Sequence, residues 1–144
     1  MSGVVLMYHR VAALTEDPYG LAVHPRRFAE QVRHLSGLRC VVPLSEMIRR
    51  GRAATIALTF DDGYADNATV AGPLLAQTGL PATFFITTRQ LGARRFWWDR
   101  LAAAFLGEHV LPDGIEVSLD GRDLWLALHN AEARRTSRSA TRTS

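Results

Sequence analysis

The segment "IALTFDDGYADN", residues 56–67, decides the fold. Ile56 to Phe60 are apolar or β-branched, and they run straight into two adjacent carboxylates, Asp61 and Asp62, followed by Gly63. A short continuous apolar run reads as a strand buried on both faces, as in a parallel sheet. Ending it on two carboxylates poses an electrostatic problem. Neighbouring like charges repel, and each costs desolvation unless something compensates it. No Lys or Arg lies between Asp61 and Pro81. The pair is therefore either solvated on an Asp-Gly turn or faces an external cation.

The flanking sequence repeats the strand signal at short intervals. "GVVLMY" (3–8), "CVVPL" (40–44), "TIALTF" (55–60) and "ATFFIT" (82–87) each read as a short buried strand, the second closed by Pro43. Residues 9–24 form a polar connection with Pro18 and Gly20. Pro25 then starts a helix in which Phe28, Val32 and Leu35 share a face and Gly37 marks the end. "LSEMIRRG" (44–51) predicts a short helix with Ser45 as its cap and Gly51 as its stop. Residues 67–78 predict another, with Val70, Leu74 and Leu75 on one side, Asp66 and Asn67 as its cap, and "GLP" as its breaker. The order β-α-β-α-β-α-β predicts an α/β layer built on a parallel sheet. Residues 96–106 predict an amphipathic helix, and 110–128 a hairpin turning on Asp120-Gly121. From residue 133 onward the chain has no apolar periodicity and is expected to be disordered.

Composition narrows the classes. The 144 residues are one domain's worth of chain, and 47% hydrophobic content is that of a globular protein. The net charge of +3 sits in the tail: the last twelve residues carry four Arg and no acid, which leaves 3 − 4 = −1 for the body. No basic stripe interleaved with aromatics appears elsewhere, so a nucleic-acid partner is not expected. A single cysteine, Cys40, beside Val41 and Val42, excludes an internal disulfide and a cysteine metal cluster. No apolar run reaches the ~18 residues of a membrane span, and the N-terminus lacks the pattern of a signal peptide. The expectation is a cytoplasmic chain without a membrane span.

Functional groups in parallel α/β sheets and (β/α) barrels collect at the C-terminal ends of strands. Asp61 and Asp62 have that address, and His9, after the first strand, would share the face. Side chains alternate along a strand, so two neighbouring carboxylates can take different partners. One can ligate a metal while the other points at a water the metal holds. Oxygen with imidazole ligation suits Zn²⁺ or a similar divalent ion. Phosphoryl transfer to an Asp usually wants a second Asp two residues on, where Gly63 stands. A calcium loop fails because "DDGYADN" lacks the alternating oxygen ligands and the closing Glu.

"LTFDDGYADN", followed by "PLLAQTGLPATFFITT", resembles the first motif and the flanking helix–strand unit of the polysaccharide deacetylase family, which carries the NodB homology domain. Upstream "LMYHRV", "HPRRFAEQVRHL" and "VVPLSEMI", and downstream "FWWDRL", extend the resemblance over residues 4–106. It implies an incomplete (β/α) barrel in residues 1–106, an insertion over 107–132, and a basic tail over 133–144. It implies metal-dependent removal of N-acetyl groups from an acetylated polysaccharide or oligosaccharide. Residue by residue, Asp61 matches the catalytic base and Asp62 the metal-ligating Asp, with Tyr64 and His9 as candidates to contact substrate. Ordinary turn packing accounts for Tyr64 equally well, and a hydrogen-bonded histidine at a strand end accounts for His9. The family's second motif, His-x-x-x-His-Pro, has no counterpart. The histidines stand at 9, 24, 34, 109 and 129, and no two are four apart. The expectation is a truncated member, with zinc binding weak or absent and binding without turnover as the alternative function. Phe96, Trp97 and Trp98 are expected in helix packing before sugar stacking.

Overall fold

The computed structural model describes residues 3–51, 54–92, 95–107 and 110–128. The chain divides into two compact units, Met1–Leu91 and Gly92–Ser144.

The first unit is built on the strand that decides the fold. Strand β4 (Ile56–Phe60) lies between β1 (Val4–Tyr8) and β5 (Thr83–Phe84), all parallel. The register sets Val4 against Ile56 through Tyr8 against Phe60, and Phe84 against Phe60 on the other side. Alternation then puts Leu6, Tyr8, Leu58, Phe60 and Phe84 on one face. Against that face pack Phe28, Val32 and Leu35 of α1 (Pro25–Gly37) and Leu75 of α3 (Gly72–Thr78). Phe60 is the hub. Its ring stacks on Tyr8 at 5.3 Å and on Phe84 at 4.8 Å, and meets Phe28 edge-on at 5.8 Å.

Helix α1 forms as its sequence predicts. Pro25 has no N–H to leave unpaired in the first turn. His24 stands before it, extended, and its Nδ1 accepts the Arg26 backbone N–H at 3.2 Å. Other expectations need correction. "CVVPL" is not a strand but a single parallel bridge, Val41 to Ile56, flanked by Ile56 N donating to Cys40 O and Val42 N to Ile56 O. Pro43 cannot donate the next ladder bond, and it begins the turn into α2 (Leu44–Arg50). Pro43, not Ser45, is therefore the capping position, and no side chain caps that helix. The connection 9–24 holds a two-residue parallel pair, β2 (Arg10–Val11) with β3 (Ala22–Val23). Strand β5 has two residues where six were expected. Strand β1 is an edge strand, so it is buried on one face only.

The helix expected over 67–78 begins with a π turn, Asn67–Ala71, in which Gly72 N donates to Asn67 O. Pro73 explains the irregularity. It has no N–H for Thr69 and its ring would meet that carbonyl, so the regular ladder cannot pass through and α3 restarts at Gly72.

The second unit holds α4 (Trp97–Leu106) and an antiparallel hairpin, β6 (Gly114–Leu119) with β7 (Arg122–Ala127). Its two-residue turn has Asp120 at φ 51° and Gly121 at φ 73°, the left-handed pair a type I′ turn requires. At the start of α4, Phe96, the residue before the helix, stacks on Trp98 at 4.6 Å and Trp97 meets Trp98 edge-on. Among the described residues no helix is long and apolar enough to cross a membrane. His109, His129 and the predicted tail lie outside the described residues.

Candidate functional site

The carboxylate pair stands at the C-terminal end of the central strand. Asp61 N donates to Tyr8 O at 2.9 Å, so the loop is hung from β1 as well as β4. His9 follows Tyr8 as Asp61 follows Phe60, which sets the two at one level of neighbouring strands. The chain then turns sharply. Asp62 has φ 68° and Gly63 N donates back to Asp61 O at 2.9 Å, closing an i to i+2 turn around Asp62. A non-glycine residue held in that conformation stores roughly 1–3 kcal/mol of strain. Two contacts hold it there. Thr87 N donates to Asp62 O at 3.2 Å from the irregular segment after β5. Gly63, at φ 81°, lies so close to Ile86 that a Cβ would stand 3.0 Å from its Cδ1. Both carboxylate residues stay partly exposed.

A second set of groups ties this loop to β2. The Asp66 carboxylate accepts Arg10 Nε and Nη2 through Oδ2, each at 3.0 Å, and the Val11 backbone N–H through Oδ1 at 3.0 Å. Asp66 therefore anchors the loop instead of capping the helix. Arg10 also sits over the Tyr64 ring, 4.3 Å from its centroid. Tyr64 is accordingly buried, packed against the turn under a guanidinium. Asn67 is buried as well, with neither amide atom hydrogen-bonded. Beneath the site, Tyr8 donates its hydroxyl to Gln31 Oε1 at 3.1 Å, and burial pushes its pKa up from 10.0.

The strand-end address of Asp61, Asp62 and His9 was legible in the sequence. The Arg10–Asp66 pair was not, because its partners lie 56 residues apart and belong to elements that read as a connection and a cap. A catalytic zinc needs three protein ligands. Among the described residues no group of three or more His, Cys, Asp or Glu could hold a metal ion. The donors in this part of the chain do not by themselves fit the divalent ion that the resemblance implies.

A family model described as polysaccharide deacetylase matches residues 49–118, which contain the carboxylate loop, β4 and β5. YxkH of Bacillus subtilis (strain 168), a relative that carries the same family name, is 30% identical over 95 residues, 61% of this chain and 33% of its own length. Among solved structures, IcaB from Ammonifex degensii is similar at a TM-score of 0.56 and 27% identity, over 69% of this chain and 46% of that one. The Streptococcus pyogenes deacetylase PplD, solved in complex with acetate, shares the fold at a TM-score of 0.58 and 24% identity, over 65% of this chain and 47% of that one. The chain thus spans a third to a half of the length of these proteins. The parallel sheet with flanking helices is that of an incomplete (β/α) barrel of the same type.

Proposed function

This chain belongs to the polysaccharide deacetylase family, and from that premise we propose that its carboxylate loop serves the hydrolysis of N-acetyl groups on a carbohydrate polymer. In this reading Asp61 is the general base that accepts a proton from the attacking water as the acetamide carbon becomes tetrahedral. Asp62 would be one ligand of a divalent ion, zinc by its donor type, and such an ion would polarise the carbonyl and activate water. The described residues do not supply the further ligands such an ion would need. The observation that supports the reading is the strained, doubly tied turn at Asp62. Strain of this kind persists only where the surroundings over-determine it, and here it fixes two carboxylates at the end of a buried parallel strand.

His9, level with Asp61 on the neighbouring strand, is in this reading a contact for the sugar or its acetyl group. Tyr64 is the weaker candidate for substrate contact, since its ring is buried under Arg10. The second reading, sugar binding without turnover, is favoured for the isolated chain by the shortage of metal donors among the described residues.

Grafting residues 56–67 into the matching position of YxkH tests the base assignment. The chimaera is expected to release acetate from acetylated chito-oligosaccharide if YxkH does. Asp61→Asn in the chimaera is then expected to slow release by about 10²-fold or more, the scale of general-base catalysis. Turnover that survives Asp61→Asn would remove Asp61 from that role.

A further inference from the structure

Asn67 is an amide at the head of an apolar stripe. The π turn Asn67–Ala71 and the helix that continues it, α3, turn one face inward: Asn67, Ala71 and Leu75 are 3%, 0% and 5% exposed. Ala71 and Leu75 belong to the core that holds Val11 and Phe28, and the π turn packs against both β2 and α1. The backbone of Asn67 is accounted for: its N donates to Tyr64 O at 3.0 Å, and its O accepts Gly72 N. Its side chain is not. Neither Oδ1 nor Nδ2 has a hydrogen-bond partner in the protein, and among the described residues no other buried side chain is in that position. Each buried polar atom left without a partner lowers the folding constant roughly five- to a hundredfold. An apolar side chain of the same size would avoid that cost. An Asn here therefore points to a partner that is not part of the chain.

The chemistry of the amide says what kind of partner. A cation would use Oδ1 alone and leave the N–H groups of Nδ2 unmatched. The adjacent carboxylate, Asp66, would not help to hold one, because Val11 N occupies its Oδ1 and Arg10 its Oδ2. An anion would use Nδ2 alone and leave Oδ1 unmatched. A neutral group that both donates and accepts satisfies both atoms, and water is the smallest such group a packed interior admits. We infer that Asn67 holds an internal water where the carboxylate loop enters the helix. Asp61 N ties that loop to β1 through Tyr8 O, and Asp66 ties it to β2. Asn67, through the water, ties its last residue to the interior. The inference goes beyond the catalytic reading and does not depend on it.

Magnetisation transfer from water to the side-chain amide of Asn67, recorded by NMR on the nitrogen-labelled full chain, tests this without a mutation. The expected result is a cross-peak from water to the Nδ2 protons that has opposite signs in the laboratory-frame and rotating-frame experiments. Dipolar transfer from a bound water gives that pattern and proton exchange does not. Its absence would overturn the inference. Asn67→Leu, close in size and apolar, supplies an independent readout in urea unfolding. If water satisfies the amide, Leu gives up those hydrogen bonds and the unfolding midpoint falls, which is the expected result. If the amide is dry and unsatisfied, Leu removes the penalty and the midpoint rises. A raised midpoint would overturn the inference as a missing cross-peak would. Neither readout involves acetate release, so this site and the catalytic role of Asp61 stand or fall separately.

Discussion

The two faces of the β1-β4-β5 sheet are made by the same strands and have opposite fates. On one, Leu58 and Phe60 are 1% and 0% exposed beneath α1 and α3. On the other, one residue along, Val5 and Met7 remain 48% and 60% exposed. Val5 and Met7 are as apolar as Leu58 and Phe60, so hydropathy does not separate them. What separates them is the company each strand keeps. Strand β4 is flanked on both edges and carries small side chains, Ala57 and Thr59, on the second face, so it is buried on both. Strand β1 is flanked on one edge and carries Val and Met there. In an intact (β/α) barrel that second face is the interior.

The largest expected difference between the faces is in stability. Phe60→Ala removes the hub of three ring contacts from a fully buried site and is expected to cost about 3–5 kcal/mol. Met7→Ala, on the neighbouring strand, is expected to cost less than about 1 kcal/mol, because its side chain is largely in water already. Urea unfolding of both variants measures the contrast. A Met7→Ala cost approaching that of Phe60→Ala would mean that the second face is covered in solution.

The next effect lies where the faces meet, at the turn after β4. Gly63→Ala imposes a left-handed conformation on a residue with a side chain and drives that side chain at Ile86. It is expected to destabilise by roughly 1–2 kcal/mol. Asp62→Gly does the reverse, relieving about 1 kcal/mol of strain at φ 68°. Opposite shifts in the unfolding midpoint are the expected result. Two shifts of the same sign would mean that Asp62 is held by favourable side-chain contacts that outweigh its backbone strain.

The sequence made some of this architecture plain and hid the rest for physical reasons. Long local periodicities translated directly: Phe28, Val32 and Leu35 gave α1, and Asp120-Gly121 gave the hairpin turn. The parallel order followed from short apolar runs alternating with helices. Strand length did not follow, because it depends on how much neighbouring strand is available to pair. "ATFFIT" has the residues of a full strand and pairs over two of them. Burial of β1 on both faces was misjudged for the same reason, since an apolar run does not reveal whether its strand lies at an edge. At the site, Asp61 and Asp62 were legible from their address. The tie from Asp66 to Arg10 and Val11 was not, because a carboxylate before a helix looks locally like a cap whatever it binds across the fold.

The smallest effect is a pH dependence confined to the covered face. Tyr8 is buried against Phe28 and Phe60, and desolvation raises its pKa above 10.0. Folding therefore favours the neutral phenol over the phenolate. The stabilisation linked to that preference is fully present below pH ~10 and is lost as pH rises through the raised value. Tyr8→Phe keeps the ring and removes the titration, along with a hydrogen bond to Gln31 worth about 1 kcal/mol. The variant is thus expected to be slightly less stable at pH 8 and to lose less stability than the parent between pH 8 and pH 11. Tyr19 and Tyr64 are present in both chains, so their contribution cancels in the difference. Equal losses over that range would place Tyr8 in water at high pH, which could happen only if α1 lifts from the sheet before the phenol ionises.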